Sequence, residues 1–132
     1  VVDTPPGLGG IVRAVLALSQ HVIGPLQCEP LALQTTPQIL RGIPDALQSN
    51  DQLALEGVLL TRYQAGNASS ERTAQYIRQH LPPTLVYDIA IPRSGPAADA
   101  FAAGVPVVLR TPTDPAALAY VNLAARLAEH FK

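Results

Sequence analysis

Apolar runs of strand length alternate along this chain with longer stretches in which apolar residues recur every three or four positions. That alternation marks an α/β fold, a mostly parallel sheet with crossover helices on its faces. Strands are expected over residues 1–2, 21–27, 55–63, 85–91 and, briefly, 105–110. The middle ones are nearly continuous in Val, Leu and Ile, as befits strands covered on both faces. Leu8, Ile11, Val12, Val15 and Leu16 share one face of a helix that follows a Gly-rich turn. Over 29–48 the helical period is interrupted: Thr36-Pro37 reads as a cap with proline after it, and Gly42 and Pro44 are expected to kink or end the helix. Ser69 or Ser70 is placed to cap a helix with Thr73, Ile77 and Leu81 on one face and Arg72 and Arg78 on its polar side, stopped by Pro82-Pro83. The last helix has Asp114 as cap and Pro115 after it. Its Leu118, Tyr120, Val121, Ala124, Leu127 and Phe131 form a wide stripe expected to pack on the sheet. Pro25 removes a ladder donor, which points to an edge strand or a bulge.

With 132 residues and 48% hydrophobic content, the chain can form one domain or part of one. Charged residues make up 14% and the formal net charge is -1, so no whole-chain field marks a binder of nucleic acid or anionic membranes. DNA contact would need a local patch. The single cysteine, Cys28, cannot close an intramolecular disulfide and reads as a small buried apolar residue. No apolar run is long enough to span a bilayer and no signal segment opens the chain, so a cytoplasmic location is expected. The chain opens in what reads as the end of a buried strand and contains no methionine. A piece of a longer domain is therefore expected; the other possibility is a natively short protein whose initiator methionine was removed. His21, His80 and His130 lie far apart with no metal-ligand spacing, and Asp88 reads as an exposed pleat position.

The densest chemistry is at 1–10, where Asp3 follows an apolar strand and precedes a stiff, glycine-containing turn and a helix. An acid at the carboxyl end of a parallel strand faces the usual ligand side and can hold magnesium, directly or through water. Glycines there let backbone N–H groups approach a phosphate. Read from spacing alone, Asp3 could equally cap the turn that follows it.

The segment DTPPGLGG resembles the Walker B and switch II segment, DTPPSLG, of the ParA/Soj/MinD family of partition and positioning ATPases. Three more segments match in order: PLQCEPLAL resembles PVQPEYFAL, GVLLTRY resembles GVLLTMYD, and DIAIPRSGPAADAFAAGVPVV resembles the family's VIPRS and GKPV region. The tail DPAALAYVNLAARLAE resembles the closing helix, so the likeness covers essentially the whole chain. The resemblance implies a partial P-loop NTPase-like, Rossmann-like three-layer fold. The chain would be the C-terminal part of a single ATPase domain for chromosome or plasmid partitioning, without its N-terminal P-loop portion. ATP and magnesium are the family's cofactors. By resemblance Asp3 would hold magnesium through water, with Thr4 and Gly7 in the loop that senses the γ-phosphate. Thr61 and Arg62, with Ile91, Pro92 and Arg93, would border the adenine. Read singly, Arg62 and Arg93 are also what surface arginines at strand ends look like.

The departures are as informative. The glycine-rich loop and its lysine are absent, the only lysine being the terminal Lys132, so the positioning and charge stabilisation of phosphoryl transfer are missing. The chain alone is expected not to hydrolyse ATP and to bind neither ATP nor magnesium. The family's GKP lysine is replaced by Val105 and the acid after its LLT segment by Gln64. Arg72 and Arg78 are then the remaining candidates for a weak DNA contact. No basic amphipathic tail follows, which argues against membrane attachment. Expected partners are a second copy or a complementing N-terminal segment, and by resemblance a ParB-like activator and non-specific DNA at the nucleoid. The alternative is a non-catalytic relative used for self-association or partner binding.

Overall fold

The computed structural model describes residues 1–131, with Ile39, Leu40 and Ile43 described by backbone only; Lys132 lies outside the described residues. The elements run α1 (Gly10–Leu18), β1 (His21–Gln27), α2 (Ala32–Ser49), β2 (Ala54–Tyr63), α3 (Ala68–His80), a 3₁₀ turn (Pro83–Leu85), β3 (Val86–Pro92), α4 (Gly95–Ala102), α5 (Val107–Arg110) and α6 (Pro115–His130). The strands form one parallel sheet in the order β1-β2-β3. The three central strands expected from the apolar runs are thus present, at nearly the expected bounds.

Side chains along a strand alternate between the two faces of its sheet, and β2 supplies both cores. Val58 and Leu60 point to one side, where they pack with Leu26 and Cys28 of the β1 region and with Ala74, Ile77 and Leu81 around α3. Leu59 points to the other, against Ile91 of β3 and Ala116 and Leu123 of α6. Helices therefore cover both faces of the sheet, in three layers. Burial pushes the Cys28 thiol up, with the Arg78 guanidinium opposing it, so Cys28 acts as a packing residue rather than a nucleophile.

Gly57 explains an irregularity in β2. Its φ is +154°, and a Cβ there would lie 2.9 Å from Tyr87 Cε2 and 3.2 Å from the Leu85 carbonyl oxygen. The register shift between Val22 and Ile23, which face Leu55 and Gly57, falls at the same place. Pro25 sits on β1, an edge strand of this sheet, where a missing N–H leaves no internal ladder bond unmade.

Several expectations are corrected. Val1 and Val2 form no strand: they are exposed and unpaired, and a strand exists only through a partner that the described residues do not supply. Residues 105–110 are not a strand either. Pro106 caps the short helix α5, its fixed φ suiting a helix start better than a ladder. The expected break over 29–48 is also absent. The α2 assignment is continuous through Pro37 and Pro44, with Thr36 buried inside it and its hydroxyl donating to the Ala32 carbonyl at 2.6 Å. Gly42 serves packing instead, because a Cβ there would overlap Leu8 Cδ1. Asn67, not Ser69 or Ser70, caps α3, accepting from both of their backbone N–H groups. In α1, Val12 is buried while Ile11 is exposed.

The last correction concerns α6. Its cap is Asp114, as expected, but it packs through Ala116, Ala119, Leu123 and Leu127, whereas Leu118, Tyr120 and Val121 are exposed. A helix apolar nearly all round has no single face to read, and its small side chains allow the closest approach to the sheet.

Candidate functional site

The strands of a parallel sheet finish at one end, and in open α/β folds that end carries the ligand. β1 runs on into Cys28 and Glu29, β2 ends at Thr61 to Tyr63, and β3 ends at Ile91 and Pro92 with Arg93 next. Hydrogen bonds tie these ends together. The Cys28 N–H donates to the Thr61 carbonyl at 2.8 Å, the Arg93 N–H to the Tyr63 carbonyl at 2.9 Å, and Thr61 Oγ1 to the Leu26 carbonyl at 3.3 Å. Beyond them opens a groove of about 200 Å³, lined on the strand side by Thr61, Arg62, Ile91, Pro92 and Arg93. Its helix side is made of Ser94, Ala97 and Ala98 near the start of α4 and Ala116 and Tyr120 of α6. All five residues assigned from sequence to the base side thus meet in one groove.

Two helix starts are joined beside it. Ser94 Oγ accepts from the Ala97 N–H at 3.0 Å, capping α4, and donates its own proton to Asp114 Oδ1 at 2.9 Å. The same carboxylate oxygen accepts from the Ala116 N–H at 2.9 Å, capping α6, and Asp114 is only 9% exposed. A carboxylate answers the positive end of a helix dipole. With Ser94 and Asp114 already occupying these two helix starts, the groove floor is small, neutral and alanine-lined rather than an anion cradle.

Arg62 is the only described non-glycine residue with a positive φ, +53°. That region costs about 1–2 kcal/mol for a residue with a Cβ. Arg62 Nε donates to Glu29 Oε1 at 2.7 Å, with the two side chains 47% and 44% exposed. An exposed pair of this kind contributes about 0–1 kcal/mol, too little to offset the strained backbone.

The remaining assigned residues lie elsewhere. Asp3 and Gly7 are exposed, Thr4 is half-buried, and none of the three lines the groove; Gly7 has φ +92°, as a glycine turn requires. With no paired strand at 1–2, Asp3 does not follow a strand end. Arg72 and Arg78 are exposed on α3, on the other face of the sheet from α6. Magnesium is held by one or two carboxylates together with substrate phosphates. Asp3 stands exposed as a single carboxylate, and no group of three or more His, Cys, Asp or Glu able to hold a metal occurs among the described residues.

A second depression, of about 290 Å³, lies at the opposite, amino end of the strands. There the buried Glu56 carboxylate accepts from His21 Nδ1 at 2.6 Å, His130 Nε2 lies 2.9 Å from its other oxygen, and Phe131 packs on both imidazoles. Two histidines far apart in sequence therefore meet on one carboxylate and fasten the end of α6 to β1 and β2. Burial pushes the nearby Tyr87 phenol up, the Glu56 charge adding to this and Arg126 opposing it. Its acidic and imidazole groups satisfy one another, and it is not where parallel strands present their loops.

Sequence reasoning did not reach Glu29, Ser94 or Tyr120 as site residues. A signal for Ser94 was present: Ser94-Gly95-Pro96 carries a cap residue with proline just inside the helix, much as Asp114-Pro115 does. Nothing local announces the Arg62–Glu29 and Ser94–Asp114 pairs, which arise only when separate strand and helix ends come together.

Parallel strands between helical layers, with a groove beyond their carboxyl ends, are the features of a P-loop NTPase-like α/β fold. The structure of cobyrinic acid a,c-diamide synthase from Mycobacterium smegmatis with bound ADP and magnesium superposes with a TM-score of 0.66 and 29% identity, covering 88% of this chain and 40% of that one. In sequence the chain is 35% identical over 125 residues to the chromosome partitioning protein ParA of Caulobacter vibrioides. It is 33% identical over 133 residues to the sporulation initiation inhibitor protein Soj of Bacillus subtilis. These alignments take in 94% and 97% of this chain. The chain belongs to the ParA/Soj family, corresponding to its C-terminal part. It spans about half the length of the curated relatives it matches, 46% and 51% respectively. No established family profile matches it.

Proposed function

We propose that this chain forms the base side of the nucleotide site in a ParA-like ATPase for chromosome or plasmid partitioning. The observation that carries the reading is the groove in which Thr61, Arg62, Ile91, Pro92 and Arg93 converge opposite Tyr120. A neutral floor of Ala97, Ala98 and Ala116, with capped helix starts beside it, suits a flat heterocycle better than a phosphate. Asp3 would hold magnesium through water, and Thr4 and Gly7 would meet the γ-phosphate, once a glycine-rich loop with its lysine brings the phosphates to them. The chain alone is not expected to turn ATP over. A ParB-like activator, and DNA met weakly through Arg72 and Arg78, follow from kinship, as does a cytoplasmic, nucleoid-associated location. No described helix is long and apolar enough to cross a membrane.

The test is a titration of the isotopically labelled chain with adenosine and with ATP-magnesium, read at the Thr61, Ile91 and Ala97 amides. A base-only subsite is expected to bind adenosine at roughly 1 mM, about -4 kcal/mol. ATP should bind within about threefold of adenosine, because no phosphate clamp is present to add to it. The absence of a saturable shift with either ligand would sink the reading. The same titration decides between this reading and the expectation from sequence that the chain alone binds no nucleotide.

A second reading, a self-association or partner-binding module, is favoured by a different observation. Phe101 is 89% exposed and Leu109 74%, with Leu118 and Val121 half exposed nearby in sequence, and the outer edges of β1 and β3 have no strand partner among the described residues. Open edges and exposed apolar side chains seek cover. Sedimentation of the chain should give a dimer or larger species; a clean monomer at every concentration tried would contradict it.

A further inference from the structure

Arg62 combines three features that together go beyond a surface arginine. Its backbone is left-handed at φ +53°, its Nε bonds Glu29 Oε1 at 2.7 Å, and the residue lines the groove. The strain is not a fold requirement that arginine meets well, since glycine would adopt the same φ at no steric cost. Nor does the ion pair hold the fold, because both partners are nearly half exposed. The backbone on either side is pinned by the Thr61 carbonyl bond to Cys28 N–H and the Tyr63 carbonyl bond to Arg93 N–H, so this strand position has little freedom to relax. An unfavourable backbone kept in place by its neighbours marks a side chain retained for what it contacts.

We propose that Arg62 is a specificity-determining residue of the groove and Glu29 its positioning residue: Glu29 engages the Nε edge of Arg62 and holds the guanidinium at the groove rim as a stacking surface for a planar, uncharged base. The inference rests on the nucleotide reading above. Glu29 offsets the charge of Arg62 and so weakens it as a phosphate ligand, but leaves the planar face of the guanidinium available. The base would lie between this face and the apolar wall of Ile91 and Pro92, above Ala97 and Ala116.

The experiment uses the whole chain with adenosine as probe and three variants. Arg62→Gly removes the side chain at a backbone that favours glycine, so it should unfold in urea at or above the wild-type midpoint, yet bind adenosine about two- to tenfold more weakly. Arg62→Lys keeps the charge without the plane and should weaken binding to the same extent. Glu29→Gln should move the Arg62 Nε–Hε resonance before any ligand is added and weaken adenosine about two- to fivefold. Lysine binding adenosine as well as arginine would overturn the stacking role. Unchanged affinity in Glu29→Gln, whether or not the Nε–Hε resonance moves, would overturn the positioning role. No saturable shift with the wild-type chain would instead refute the nucleotide reading, and this inference with it.

Discussion

Leu60→Ala is expected to destabilise the chain by about 2–5 kcal/mol, the usual range for removing a fully buried leucine side chain. Leu60 has no exposed surface and lies in the middle strand, packed in the core shared by β1 and α3. Truncation would leave a cavity between the β1–β2 strands and α3. For a urea dependence of about 1–3 kcal/mol/M, typical of small domains, the midpoint should fall by roughly 1 M or more, or the chain should fail to fold. Leu118→Ala is the control. Leu118 is half exposed on α6, and its loss should change stability by no more than about 0.5 kcal/mol. Equal losses for the two variants would mean that the sheet does not carry the core.

The second large effect is expected at Asp114. One carboxylate oxygen accepts from both the Ala116 N–H and the Ser94 hydroxyl, so Asp114→Ala removes the cap of α6 and strands the residue that caps α4. Loss of a cap costs about 0.5–2 kcal/mol, and a polar group left without its partner adds about 1–3 kcal/mol where it is buried. With Ser94 only partly buried, a combined loss of about 2–3 kcal/mol is expected, measurable by urea unfolding. Asp114→Asn keeps an acceptor oxygen and should recover most of it. The functional readout is separate. Ala97 and Ala116 are held at the groove by these two caps, so adenosine affinity should fall in Asp114→Ala even at temperatures where the variant is fully folded. Unaltered affinity in the folded variant would detach the Ser94–Asp114 link from the groove.

How far the sequence went can be judged element by element. The strand over 21–27 was legible to the residue, and those at Ala54–Tyr63 and Val86–Pro92 to within a residue at each end, because both-face burial leaves a continuous apolar run that turns interrupt sharply. Residues 1–2 and 105–110 have the same composition and failed. The first has no strand partner among the described residues, and the second contains Pro106, which favours a helical turn. Of the stripe chosen on α6, Leu127 packs on the sheet while Leu118, Tyr120, Val121 and Phe131 are exposed, because Ala116 and Ala119 are the small residues that allow close approach. The groove was legible for a topological reason: parallel strands deliver their carboxyl ends to one place, so motifs at the ends of two strands are bound to meet. The pairs Arg62–Glu29, Ser94–Asp114 and His21–Glu56–His130 were not, since each joins segments whose proximity is a product of the fold.

The parallel pairing has a consequence for how the molecule acquires its shape. Each strand finds its partner only across an intervening helix, β1 with β2 around α2 and β2 with β3 around α3, so no hairpin is available to start the sheet. Loop closure must come before any strand contact rewards it, which makes the search non-local and slow beside that of a helical bundle of equal length. The helices can form early while β2 remains uncovered, and during that interval Val58, Leu59 and Leu60 are the segment most prone to pair with a neighbouring chain. Pro25, in the middle of the outer strand, withholds one N–H from any intruder and acts as a guard during assembly as much as an edge marker afterwards.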